Sequence, residues 1–195
     1  SSTSVTITVN EPVNNTPTVN APPGYYVATN GNSSNNGQSP SNPWSIEHAF
    51  NVAKAGDIIY VKAGNYGNKQ VRTNNNGTSG AHIKFIGYKN PPGDIVSNNG
   101  STFNFGESVD ARKMPLLQGS NGTGTAITVH DRHVDLENFQ ITGYNIGVQT
   151  ISIATNNTLK NIIVTRVGNQ SNASSYTRNG FKVASNNTKP DKCFL

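Results

Sequence analysis

Apolar and polar residues alternate in short runs along much of the chain, a pattern typical of half-buried β-strands. Residues 4–10, read as S-V-T-I-T-V-N, place Val and Ile at every second position; Val134 and Leu136 flank Asp135 in the same way, and short apolar runs recur at 25–28 and 58–61. The chain contains 14 Ile and 16 Val but only 5 Leu. β-Branched side chains suit pleated strands better than helix bundles. We therefore predict an all-β protein.

One segment breaks the alternation and predicts a helix over about residues 45–55. Ser45 is a suitable N-cap, and Gly56 follows the segment. Apolar residues recur there at helical spacing: Ile46, Ala49, Phe50 and Ala53. We expect Trp44 and Phe50 to pack this helix onto the neighbouring strands.

A repeat of 23 residues relates 134–141 to 157–164. At this offset Leu136 coincides with Leu159 and Asn138 with Asn161. Repeats of about 20–50 residues indicate stacked architectures, in which like residues lie on like. We expect the two asparagines to hydrogen-bond along the stack. The runs 147–149 and 180–182 both look like the next short strand in successive turns of the stack. The segments 82–88 and 113–118 are candidates for less regular turns.

The repeat, together with the Pro-, Asn- and Thr-rich composition of residues 11–23, suggests that the chain has three parts. We predict that residues 1–10 resemble the terminal strand of a preceding immunoglobulin-like module and that 11–23 form an extended linker. The main domain would then span 24–195. Alternatively, the first strand pairs with the main domain. A polar insertion over 168–179 is expected to form a surface loop, and the pattern reaches Leu195 partway through a turn of the stack, as in a truncated domain.

Composition narrows the function classes. Charged residues make up 13% of the chain, Asn and Thr number 30 and 19, and the net charge is +5. The basic residues are scattered, which argues against a nucleic-acid partner, and no apolar run is long enough to span a membrane. Standard phosphate-binding, serine-hydrolase and zinc-protease motifs are missing from the sequence, and Cys193 is the single cysteine. A mildly basic surface can attract acidic polysaccharides.

Three motifs carry a family resemblance that covers 24–66. Y-Y-V-A-T-N-G-N, P-W-S-I-E-H-A-F and A-G-D-I-I-Y-V-K-A-G-N-Y resemble the opening of secreted right-handed parallel β-helix proteins, the superfamily of pectate-lyase-like and chondroitinase-B-like polysaccharide lyases. The resemblance implies a right-handed parallel β-helix whose N-terminal end is capped by the helix. It also implies calcium as a cofactor. Ser33 stands where many relatives carry an acidic residue, which weakens that implication.

Candidate site residues come from the repeat and from the motif His130-Asp131-Arg132-His133. In this family a Lys or Arg serves as the base, so the resemblance makes Lys160 and Arg166 catalytic candidates, unless the catalytic turns lie beyond Leu195. We predict substrate binding by five residues: His130, Arg132, His133, Tyr176 and Arg178. The motif at 130–133 is also compatible with an ordinary polar turn. Lys160 and Arg166 are also compatible with a solvated surface that has no catalytic role.

The functional hypothesis is a secreted bacterial carbohydrate-active protein, extracellular or on the cell surface. We expect a monomeric polysaccharide lyase that cleaves an acidic, uronate-containing glycan by β-elimination. The alternative is a non-catalytic β-helix, either a glycan-binding module or an adhesin. An ice-binding solenoid would need ranks of Thr that the sequence does not sustain.

Overall fold

The computed structural model describes residues 22–95, 107–168, 179–193 and 195. The predicted strand at 4–10, and the linker apart from Pro22 and Pro23, lie outside these ranges. The described residues form twelve strands and one helix. In chain order the elements are β1 (Tyr25–Val27), α1 (Ile46–Val52), β2 (Ile58–Lys62), β3 (Gly64–Asn65), β4 (Val71–Arg72), β5 (Ile83–Tyr88), β6 (Pro115–Gln118), β7 (Thr125–Val129), β8 (Val134–Thr142), β9 (Ile146–Thr150), β10 (Thr158–Thr165), β11 (Asn179–Val183) and β12 (Lys189–Asp191).

The strands belong to two sheets, and within each sheet all neighbouring strands pair in parallel. The first sheet has the order β1-β2-β5-β8-β10-β12, with β6 pairing both β3 and β8; the second has the order β11-β9-β7-β4. From β6 onward successive strands belong to the two sheets in turn, and each strand from β7 to β12 pairs with the preceding strand of its own sheet. The prediction of a mostly β protein is confirmed as a fold of parallel sheets with a single helix in the described residues.

Strands β8 and β10 pair at the predicted offset of 23 residues. Leu136 lies beside Leu159, and Phe139 beside Ile162. The predicted correspondence of 147–149 with 180–182 is also confirmed, since Phe181 pairs with Val148. Parallel strands place residues of equal position side by side, about 4.8 Å apart, so a repeat in sequence becomes a column in space.

The core is a column of apolar side chains contributed by both sheets. Ile59, Phe85, Leu136 and Leu159 are aligned by strand register and are 0–1% exposed. Side chains of the second sheet, among them Ile127 and Val148, belong to the same cluster. Each such side chain contributes roughly 1.5–3 kcal/mol through burial.

Buried asparagines bend the long strands β8 and β10. Asn138 and Asn161 have φ of 63° and 50°, a left-handed conformation that Asn tolerates better than most residues. The Asn161 amide donates to Asn138 Oδ1 at 2.7 Å, and the Asn138 amide donates to the Gly87 carbonyl at 3.1 Å. The predicted amide stack is therefore confirmed. At Gly87 itself a Cβ would lie 1.9 Å from the Asn138 carbonyl oxygen, so this position requires glycine.

The helix is shorter than predicted but has the expected start and buried face. Ser45 accepts a hydrogen bond from the His48 backbone N–H at 3.3 Å, as an N-cap does. Phe50 stacks on Phe85 with ring centroids 4.0 Å apart, and Trp44 stacks on Tyr25 at 4.2 Å. The helix thus packs against the core. Within the described residues, no helix is long and apolar enough to cross a bilayer.

Candidate active site

The outer face of the first sheet carries aligned charged side chains. Strand register places Lys84 beside Asp135, and Glu137 beside Lys160, which in turn pairs with Asp191. These side chains alternate along their strands with the buried core residues, so they point away from the core. We call this surface, defined by Lys84, Asp135, Glu137, Lys160 and Asp191, the charged face.

Lys160, the sequence candidate for the base, is engaged in an ion pair. Its Nζ lies 3.2 Å from Glu137 Oε1, and both side chains are about one-quarter exposed, at 27% and 26%. A lysine that removes a proton from a sugar carbon must act as the neutral amine, whereas this ion pair uses the ammonium. The arrangement therefore suits substrate contact by Lys160 better than proton abstraction.

Arg166, the second catalytic candidate, lies just beyond the end of β10. It is exposed and has a φ of 50°, and the bend at Asn161 separates it from Lys160. The two residues are therefore not carried by one straight strand. Tyr176 and Arg178 lie outside the described residues.

A cluster of two imidazoles and a carboxylate lies at the start of the charged face. His82 Nδ1 is 3.0 Å from Asp135 Oδ1, and His82 Nε2 is 3.3 Å from His133 Nδ1. The two rings meet edge to face, with centroids 5.0 Å apart. His82 immediately precedes β5 and His133 immediately precedes β8, so the pairing of these strands brings together residues 51 positions apart. We call His82, His133 and Asp135 the imidazole cluster.

The imidazole cluster borders a groove of about 460 Å³. Its lining includes Ser79, His82, Lys84 and Asp135, together with Gly56, Ile58, Gly80 and Ala81. Lys84 is exposed, and within the part of the chain that the structure describes it forms no ion pair. The groove therefore presents the Lys84 ammonium together with the His82 imidazole and the Asp135 carboxylate, and His133 adjoins it through its contact with His82.

The motif at 130–133 is divided between different surroundings. His133 belongs to the imidazole cluster, whereas His130 Nδ1 lies 3.7 Å from Asp131 Oδ1, and the His130 backbone N–H donates to Thr73 Oγ1. Arg132 is exposed, and its Nε donates to the Ile153 carbonyl at 3.3 Å. Of the three substrate-binding candidates in this motif, only His133 is joined to other chemically active side chains of the groove.

His82 and Lys84 were missed at the sequence level, although a signal for them existed. His82-Ile83-Lys84-Phe85 and His133-Val134-Asp135-Leu136 share the order imidazole, apolar, charged, apolar. The structure pairs Ile83 with Val134, so this order repeats in space. Aligning these two segments would have identified the cluster.

The residues do not fit the calcium site that the resemblance implied. Around Ser33 the loop offers neutral groups, and Asn32 Oδ1 accepts hydrogen bonds from the backbone N–H and hydroxyl of Ser34. Calcium sites in proteins depend on carboxylate ligands. Over 22–95, 107–168 and 179–193, no group of three or more His, Cys, Asp or Glu side chains could hold a metal ion. Calcium therefore enters no step proposed below.

Comparison with known proteins relates this fold to carbohydrate-active enzymes. No family model matches the chain. A stretch of 42 residues, 22% of the chain, is 50% identical to pectate lyase L of Dickeya chrysanthemi. The GH136 lacto-N-biosidase of Eubacterium ramulus superposes over 88% of the chain with a TM-score of 0.61 and 17% identity. A rhamnogalacturonan lyase also superposes over 88%, with a TM-score of 0.56 and 14% identity.

These likenesses cover only part of each relative. The chain spans 10% of pectate lyase L, 34% of the lacto-N-biosidase and 56% of the rhamnogalacturonan lyase. At 14–17% identity the two superpositions show a shared fold. The class that the structure defines is thus a parallel-sheet protein with the fold of carbohydrate-active enzymes.

Proposed function

We propose that the chain forms part of a secreted bacterial polysaccharide lyase that cleaves acidic, uronate-containing glycans by β-elimination. In this proposal the strands are successive coils of a right-handed parallel β-helix, and α1 covers its N-terminal end. The observation that carries the enzymatic proposal is the groove on the first sheet, where Lys84 lies beside the imidazole cluster.

The path of the chain supports the coiled winding. From β6 onward the chain alternates between the two sheets, and each strand from β7 to β12 is parallel to its predecessor in the same sheet. Connections between parallel strands of one sheet are right-handed in about 98% of cases. The contact of Phe50 with Phe85 supports the covering role of α1, because it seals the apolar column beside the first coils.

Elimination at a uronate requires three actions. A cation must offset the carboxylate, a base must take the proton on the adjacent ring carbon, and the leaving oxygen must gain a proton as its bond to carbon breaks. The electron pair of the C–H bond becomes the new carbon–carbon double bond. Lys84 would offset the carboxylate, and a ring nitrogen of the imidazole cluster would accept the proton. Lys160 and Glu137 would contact sugars farther along the charged face.

The test is incubation of the full chain with polygalacturonate, alginate and a glycosaminoglycan, with a neutral glucan as control. Unsaturated uronate products absorb in the ultraviolet and are identified by mass spectrometry. Lys84→Ala is expected to lower the rate by about 10²–10³-fold, as does loss of a group that stabilises transition-state charge. The matched control, Lys54→Ala, removes an exposed lysine outside the groove and is expected to retain the full rate.

The outcomes separate the hypotheses. Unsaturated products that depend on Lys84 support the proposal. A rate abolished by Lys160→Ala but unchanged by Lys84→Ala would overturn the assignment of roles. Binding to uronate polymers without any product would overturn the lyase proposal and favour a non-catalytic glycan-binding protein.

A further inference from the structure

The hydrogen-bond chain in the imidazole cluster has a direction that follows from the chemistry of its members. An ionised carboxylate accepts hydrogen bonds and donates none, so His82 Nδ1, at 3.0 Å from Asp135, must carry the proton of that contact. A neutral imidazole has one N–H, which leaves His82 Nε2 as an acceptor. His133 Nδ1, at 3.3 Å, must then be the donor of the second contact.

This order leaves one ring-nitrogen lone pair free, at the His133 end of the row of hydrogen bonds. When His133 donates through Nδ1, its Nε2 carries the lone pair, and no hydrogen bond to this atom forms among the residues that the structure describes. We infer that the imidazole cluster is a directional relay in which His133 Nε2 is the general base, with a uronate sugar as its substrate. This inference rests on the proposed function for the identity of the substrate, but the direction of the relay does not depend on it.

The proton transfer balances at the imidazole cluster, whose His82 and Asp135 line the groove. His133 Nε2 takes the proton from the carbon next to the sugar carboxylate, and the electron pair forms the double bond as the leaving carbon–oxygen bond breaks. Water supplies a proton to the leaving oxygen, and His133 later returns its extra proton to water. The positive charge on His133 is stabilised by the Asp135 carboxylate acting through His82, so Asp135 and His82 are positioning residues.

The side chains in register with the relay come from the two strands that flank this part of β8, and only one of them is charged. Lys84 of β5 lies in register with Asp135, and Thr158 of β10 lies on the other side of Asp135. On the turn before β8, Arg132 is exposed and its Nε bonds a backbone carbonyl. Lys84 is thus the cation nearest in register to the relay, and it would face the sugar carboxylate whose adjacent proton His133 removes.

A tautomer measurement tests the relay without any glycan. Long-range proton–nitrogen NMR spectra of the full chain, labelled with ¹⁵N-histidine, are recorded at a mildly alkaline pH. The expected result is the Nδ1–H tautomer for both His82 and His133. Free histidine favours Nε2–H, so this pattern is not the default. An Nε2–H tautomer at either residue in the unmodified chain would overturn the inference.

The variant Asp135→Ala tests what sets the direction. Without the carboxylate, His82 loses its Nδ1 acceptor, and its population is expected to shift toward the Nε2–H tautomer. His48, which contacts Trp44 and is not part of the imidazole cluster, is the internal reference and should not change. Unchanged tautomers of His82 and His133 in this variant would show that Asp135 does not orient the relay.

The catalytic role is tested with His133→Gly. His133 has a φ of 55°, which glycine adopts without strain, so this variant removes the ring while preserving the turn. We expect kcat to fall about 10²–10⁴-fold, the usual contribution of a general base, with partial rescue by added imidazole. His48→Ala should retain the full rate.

The two proposals can fail separately. Predicted tautomers in a chain that cleaves no uronate polymer would refute the lyase function and leave the relay intact. Cleavage that survives His133→Gly would refute the relay as the base while the lyase function stands.

Discussion

Replacing Asn138 by alanine tests whether the buried amide stack stabilises the fold. Asn138 is 1% exposed and adopts a φ of 63°. Its side chain joins three strands, because it accepts from Asn161 of β10 at 2.7 Å and donates to the Gly87 carbonyl of β5 at 3.1 Å. In Asn138→Ala both contacts disappear, while the 3.7 Å contact of the Asn161 amide to the Met114 sulfur, a weak acceptor, remains.

The expected loss follows from the burial of these groups. Each buried polar group that loses its partner costs about 1–3 kcal/mol. Alanine in the left-handed conformation costs about 1 kcal/mol more. We therefore expect the free energy of unfolding to fall by about 3–7 kcal/mol, a large share of the ~5–15 kcal/mol typical of folded domains.

Asn156 provides a matched control. Its φ of 59° is nearly the same, but its side chain is exposed and is joined to Asn187 by a 3.3 Å hydrogen bond at the surface. Asn156→Ala should therefore lose only about 1 kcal/mol, the backbone contribution. Urea denaturation followed by circular dichroism measures both variants. Equal losses would show that the amide stack contributes nothing beyond the backbone conformation.

Two further predictions concern the core and the buried tyrosines. Phe50→Ala removes a ring that is 1% exposed and stacked on Phe85, so the free energy of unfolding measured in urea should fall by about 3–5 kcal/mol. A smaller loss than that of Val52→Ala would contradict the packing role of Phe50. Burial raises the pKa of both Tyr88 and Tyr144 to about 12, so both should titrate later than an exposed tyrosine in ultraviolet absorbance. Because these pKa values are raised in the folded state, their contribution to stability is complete below pH 10 and is lost as the pH rises through about 12. Ionisation of all tyrosines near pH 10 in the folded chain would contradict this prediction.

The sequence predicted the elements whose signals are local or periodic. The α1 helix was found because Ser45 and the spacing of its apolar face lie within a few residues of one another. The pairing of Leu136 with Leu159 was found because parallel strands convert a constant offset into side-by-side contact. The same offset predicted the hydrogen bond between Asn161 and Asn138.

The division of β8 between two partners was decided by tertiary structure. Before the bend at Asn138 this strand pairs with β5, and after the bend it pairs with β6. The bend also changes the alternation, since both Asn138 and Phe139 are buried. A period of two residues carries no information about such a change of partner.

The candidate site was likewise only partly visible in the sequence. The motif at 130–133 pointed to His133, but His82 and Asp135 became its partners only through the pairing of β5 with β8, and Lys160 acquired its ion pair through the pairing of β8 with β10. Composition and periodicity determined that this chain builds stacked parallel strands, because burial of alternate side chains is a local property. Which polar side chains meet on the outer face depends on strand register between distant segments, and that register is fixed only when the whole core packs.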